Sequence, residues 1–205
     1  MGISFHDMDH RHIDVFKELA SIGCGNAITA LAKILRKKVS MTVPLVNLLD
    51  FKDVSNFIGG PENLTIGILV GLSQDITGMM MFLIDTKCAR SLISMIIGRQ
   101  LPPDAEFSEI EQSAMQEIGN ILCSSYLGSL SAMTGQKIIP SPPNLAIDMA
   151  GAILSVPAIE FGKVSDKVLF IESTFEADHE NVSGFFVLVP DPPSFQKILA
   201  SLGVS

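Results

Sequence analysis

The feature that most constrains what this chain can fold into is that its pattern occurs twice. Displaced by 99 positions, the sequence lays Glu18 on Glu117, Ile22 on Ile121, Cys24 on Cys123, Leu31 on Leu130, Lys38 on Lys137 and Pro44 on Pro143. Asp14 falls on Ser113, and Ser21 on Asn120. Further along the register slips: Asp75-Ile-Thr-Gly78 aligns with Asn181-Val-Ser-Gly184, and Asp85 with Asp191. The halves end alike, at Ile97-Gly98 and Leu202-Gly203. A sequence that repeats itself is expected to build the same local structure twice, here over approximately 12–98 and 108–203.

Each half reads as a long helix, a strand, a short helical or irregular segment, two further strands and a shorter helix. In the first half, Ile13, Phe16, Ala20, Ala27, Leu31 and Ile34 recur at helical spacing and predict a helix from about His12 to Arg36. Lys37–Val46 reads as a strand. Thr65–Leu72 and Gly78–Ile84 read as a hairpin, and Lys87–Ile97 as an amphipathic helix stopped by Gly98. The segment 98–108 is a linker ending in Ser108, which with Glu111 makes a capping box for the next helix. That helix runs from about Ser108 to Thr134. Strands are expected at Lys137–Ile139, Ala152–Phe161, Val168–Phe175 and Gly184–Pro190, and a last helix from near Ser194. Glu176–Asn181 reads as an acidic hairpin tip. Strands joined this closely are antiparallel, because parallel crossovers need longer connections. The expected fold is α+β: two pseudo-symmetric repeats forming one continuous, mainly antiparallel sheet with two long helices exposed on one face.

Charge excludes several function classes. A net charge of −8 without a basic cluster is a poor match to nucleic acid or anionic lipid, which need a positive footprint. Arg36-Lys37-Lys38, the steepest basic run, suits a solvated helix end. Mean hydropathy is high, at +0.41, yet no apolar run approaches the roughly 18–20 residues of a membrane span. The N-terminus lacks the apolar stretch of a signal peptide. Cys24, Cys88 and Cys123 are odd in number and form no C-x-x-C, so they read as small thiols in a reducing cytoplasm.

Positions i, i+3, i+4 and i+7 share one side of a helix. On the first long helix they bring together Asp14, Glu18, Ser21 and Gly25. On the second they bring together Ser113, Glu117, Asn120 and Ser124. A solvated face usually carries long charged side chains, whereas these carry one acid with short polar groups. Gly23, Gly25 and Gly119 interrupt the helices, and a mid-helix glycine costs about 0.5–1 kcal/mol relative to alanine. Either a ligand approaches the backbone there or the helices need small residues to pack. Glutamate and asparagine alone make no nucleophile triad, metal cage or glycosidase pair. They suffice to complete a partner's active site. A labile acyl phosphate needs only an oriented water and a docked carboxylate, and positioning worth ~3 kcal/mol is about a hundredfold in rate.

At these residues the chain resembles the CheC/CheX/FliY phosphatases, which act on the phosphorylated chemotaxis response regulator CheY. The family pattern is Asp or Ser, three residues, Glu, two residues, Asn, then 22 residues and Pro. Ser113, Glu117, Asn120 and Pro143 match it fully. Asp14, Glu18 and Pro44 match it in the first half, where Ser21 stands in place of asparagine. The likeness covers the whole chain, 1–205, as a single CheC-like domain. It implies a cytoplasmic aspartyl-phosphate phosphatase in which Glu117 pairs with the regulator's active-site lysine and Asn120 positions the attacking water. Mg²⁺ would be carried by the phosphorylated partner, with no cofactor or metal of the chain's own. Glu18 would dock in the same way at a second site weakened by Ser21. Asp14 and Ser113 would line the docking faces. A second partner, the receptor deamidase CheD, is implied too. Asp148, in NLAIDMAGAIL, reads as the charged anchor of an apolar helix, or else as an acid favoured by the helix dipole. A non-catalytic regulator of CheD is the competing class. A structural piece of the flagellar switch is disfavoured by the lack of a switch-type extra domain or long tail.

Other features invite simpler readings. His6, Asp7, Asp9, His10 and His12 read as a polar terminus, and His179 as solvated. Met79-Met80-Met81 reads as strand core and Tyr126 as helix packing. Gly59-Gly60-Pro61 reads as a turn, since no G-K-[ST] follows.

Overall fold

The computed structural model describes residues 8, 10–42, 44–161, 167–177 and 180–204. The elements run in one order twice: α1 His10–Leu35, β1 Val39–Met41, β2 Leu45–Asp50, α2 Phe51–Phe57, β3 Leu64–Gln74, β4 Gly78–Asp85 and α3 Thr86–Ile97. Then come α4 Glu109–Thr134, β5 Ile138–Pro140, β6 Asn144–Met149, α5 Ala150–Phe161, β7 Lys167–Ala177, β8 Glu180–Pro190 and α6 Pro192–Ser201. The eight strands of the described residues join one antiparallel sheet. The halves are interwoven. β4 and β8 pair at the centre, β1 and β2 of the first half pair with β7 of the second, and β5 and β6 of the second pair with β3 of the first.

Helices cover both faces of the sheet. Alternate strand residues Ile66, Ile68, Val70, Met80, Phe82 and Ile84 pack beneath α1, α3, α4 and α6. The intervening Met79, Met81 and Leu83 pack with Phe170 and Val187 against the short α2 and α5. The mixed helix and antiparallel strand fold is the one the sequence predicts, with both long helices on one face. The methionine triplet is strand core, and Tyr126 is fully buried, stacked on Phe186 at 5.7 Å. Capping aspartates recur at equivalent places. Asp85 accepts from the Cys88 N–H at the start of α3, and Asp191 from the Ser194 N–H at the start of α6. Gly98 ends α3 in the left-handed conformation, φ 70°. Ser108 and Glu111 form the full capping box, and the Ser108 N–H holds the Glu111 carboxyl below the usual carboxylate range. Arg90 ties down the linker by donating to the carbonyls of Pro102 and Ala105 and lying over the Phe107 ring.

Four expectations are corrected. Residues 152–161 form helix α5, not a strand. GAILSVPAIEF is apolar on every side, so its periodicity cannot separate a buried strand from a helix, and Pro157 is accommodated inside the helix. Lys37–Val46 is not one strand. Pro44 has no N–H to give a ladder, and it separates β1 from β2, which meet different stretches of β7. The last helix begins at Pro192, not Ser194, because proline fits a helix's first turn. The acidic tip is narrower than 176–181, since Glu176 and Asn181 are paired strand residues. His179 lies outside the described residues, as do His6, Asp7 and Asp9. His10 and His12 open α1, with His12 buried.

Candidate functional site

α1 and α4 lie side by side, and glycine brings them together. A Cβ on Gly23 would stand 2.6 Å from the Tyr126 ring of α4, and one on Gly119 would stand 2.3 Å from Ile68 of β3. Asn26 donates across to the Ser129 hydroxyl at 2.9 Å. Packing therefore explains Gly23 and Gly119, whereas Gly25 faces open space. The buried sides, Phe16, Leu19, Ala20 and Cys24 on one helix and Met115, Ile118, Leu122 and Cys123 on the other, fix the rotation of both. Burial pushes the Cys24 thiol up to about 11 and the Cys123 thiol up to about 12, so both are neutral packing groups.

With that rotation set, Ser113, Glu117 and Ser124 of α4 are exposed and Asn120 is half-buried. Neither the Glu117 nor the Glu18 carboxylate has a hydrogen bond or ion pair among the described residues. Among the described residues the Asn120 side chain has one hydrogen-bonding contact, a long one: its Oδ1 lies 3.5 Å from the Ser124 hydroxyl. The motif proline is held at the same place, because Gln116 donates to the Pro143 carbonyl at 2.6 Å. The loop between β5 and β6 thereby reaches α4 one residue before Glu117. Spacing alone could not identify Gln116, whose counterpart in the first half is Lys17.

The α1 stripe differs. Asp14 pairs with Lys17 at 3.1 Å, with both side chains largely exposed. The Ser21 hydroxyl donates to the Lys17 carbonyl at 2.9 Å, back onto its own helix. Glu18 is exposed as Glu117 is, but the group one turn on is turned inward rather than offered to a partner.

Asp148 is not on a helix. It sits on β6, opposite Thr65 of β3, and its carboxylate accepts from the Met149 N–H at 2.7 Å. It is exposed, beside Met149, and α5 follows with Ile159 exposed to 72%. Alternation along β6 turns Leu145 and Ile147 toward the core and leaves Asp148 exposed on the other face, which a helical reading of the apolar run missed. A groove of about 480 Å³ runs between α2 and α5, with Lys52, Ser55, Pro61 and Leu154 in its walls. It is on the sheet face opposite Glu117. Among the described residues no helix is long and apolar enough to cross a membrane, and no group of three or more His, Cys, Asp or Glu is placed to hold a metal ion.

The structure thus places a carboxylate, Glu117, and an amide, Asn120, one turn apart on the outer side of α4. Residues 12–48 and 110–147 match the pattern of the CheC-like family. The chain is 31% identical over 208 residues to the CheY-P phosphatase CheC of Bacillus subtilis (strain 168), covering 98% of each chain. It shares its fold with Thermotoga maritima FliY, at 23% identity and TM-score 0.76, over 96% of this chain and 98% of that one. A chain of the CheX–CheY–BeF3–Mg²⁺ complex from Borrelia burgdorferi aligns at 17% identity and TM-score 0.51, over 80% of this chain and 94% of that one. The chain belongs to the CheC-like family.

Proposed function

We propose that this protein is a cytoplasmic phosphatase that removes the phosphoryl group from the aspartate of phosphorylated CheY. The observation that carries the reading is the pair of outward-facing groups on α4: Glu117 without an internal partner and Asn120 one turn on. A free carboxylate suits pairing with a lysine beside the partner's acyl phosphate. An amide both donates and accepts, so it can hold a water in line with the phosphorus. The water oxygen bonds to phosphorus, the bond from phosphorus to the aspartyl oxygen breaks, and carboxylate and inorganic phosphate leave. The water's proton passes to phosphate or solvent. Mg²⁺ carried by the phosphorylated regulator supplies countercharge. The relative named CheY-P phosphatase and the shared fold of the CheX–CheY complex support this choice of substrate.

The test is the decay of phosphorylated CheY. Wild type is expected to speed the decay, and Asn120→Ala to lower that acceleration by about a hundredfold, the value of ~3 kcal/mol of positioning. If wild type leaves the decay unchanged, the phosphatase reading is wrong. A second reading concerns CheD. Exposed Asp148 on β6, flanked by exposed Met149 and followed by the uncovered Val156 and Ile159 of α5, suits a partner with a basic group and an apolar rim. Asp148→Lys is expected to abolish binding of CheD in a pull-down without changing CheY-P decay. Retained binding would reject it.

A further inference from the structure

Serine and threonine within a helix commonly turn their hydroxyl back to the carbonyl one turn before. Ser21, Thr29, Ser129 and Thr134 all do so here, onto Lys17, Gly25, Ser125 and Leu130. Ser124 does not. Its hydroxyl is directed instead at the side-chain Oδ1 of Asn120, at 3.5 Å. The position equivalent to Ser124 in the first half is Gly25. The half whose amide is missing thus also lacks the hydroxyl that would meet it. Space does not explain the glycine, because a Cβ at Gly25 would meet nothing within 4 Å.

We propose that Ser124 is a positioning residue for Asn120, and that a working site of this kind is a pair, the amide and the hydroxyl one turn later. The proposal rests on the phosphatase reading. A hydroxyl beside the amide gives it a hydrogen-bonding neighbour that limits its rotation, and as placed here it donates to Oδ1. It occupies one lone pair of Oδ1, leaving the other to accept from water and the NH2 group to donate outward. Without it the amide can rotate and the water is held in more than one place. Catalytic hydrogen bonds are often long in the free enzyme and tighten once substrate is bound. In this role Ser124 acts through Asn120 and not on the substrate. Its loss therefore acts on turnover and not on docking.

The experiment measures kcat and KM for dephosphorylation of phosphorylated CheY. Ser124→Ala is expected to lower kcat roughly three- to tenfold, the lower end of what positioning contributes, with KM unchanged. Ser124→Thr, which keeps the hydroxyl, is expected to restore it. In an Asn120→Ala background, Ser21→Asn with Gly25→Ser should recover several times more activity than Ser21→Asn alone. The proposal is overturned if Ser124→Ala matches an active wild type, if the effect falls on KM, or if threonine does not rescue. It is also overturned if the double replacement does no better than the single one. An inactive wild type removes the phosphatase reading and this proposal together, so the two failures are distinguishable.

Discussion

At the scale of the residue, two equivalent glutamates end in different surroundings through small differences nearby. Glu117 has an amide one turn on, whereas Glu18 has a hydroxyl bonded to the helix backbone. Docking and water positioning should therefore separate by residue. Glu117→Ala is expected to weaken binding of a non-hydrolysable phosphoryl mimic of CheY several-fold, and Asn120→Ala to leave that binding within twofold. Calorimetry on the two variants measures this, and equal losses would contradict the division of roles. The exposed Ile110, at 77%, lies two turns before Glu117 on the same stripe, where α1 has Arg11. The motif residues were all legible in the sequence, because helical spacing and the repeat pointed to them independently. Gln116 was not, because its bond reaches a loop 27 residues away.

At the scale of the element, α4 contains two glycines with opposite meanings. Gly119 lies against Ile68, and a Cβ there would overlap it, while Gly128 has nothing within 4 Å. Gly119→Ala is expected to destabilise by about 1–3 kcal/mol, since overpacking outweighs the gain in helix propensity. Gly128→Ala is expected to stabilise by about 0.5–1 kcal/mol. Urea denaturation of both reads the sign directly, and two changes of the same sign would refute the packing account. Amphipathic elements such as α1, α3 and α4 could be placed from sequence to within two residues. α5 could not, because an apolar pattern without a polar side gives no period to read.

At the scale of the whole molecule, neither half is complete. β1 and β2 find their partner only in β7, and β5 and β6 only in β3. Residues 1–99 expressed alone are therefore expected not to form a folded monomer, and co-expression with 100–205 should give a soluble pair. A cooperative thermal transition from monomeric 1–99 would show that the interweaving is dispensable. The buried thiols make a second prediction. The folded state keeps Cys24 and Cys123 protonated up to about 11 and about 12, while an unfolded chain releases those protons near the ordinary 9.0. Above that pH the unfolded state binds fewer protons, so stability falls as pH rises from 9 toward 11. Buried Tyr126, also raised well above its ordinary 10.0, steepens the fall. Tm measured across this range should drop, and Cys123→Ala should flatten the slope.

The sequence by itself determined the duplication, the long helices of each half, the α+β class and the exposed stripes of Glu18 and Glu117. Each depends on local periodicity or on the chain's likeness to itself. Only the tertiary structure decided that strands are exchanged between the halves, that Gly23 and Gly119 serve packing, that Asp148 stands on a strand, and that the Ser124 hydroxyl meets Asn120 rather than the backbone. These depend on which surfaces meet across long separations in sequence. That is settled by the packing of the whole core, and no local pattern contains it.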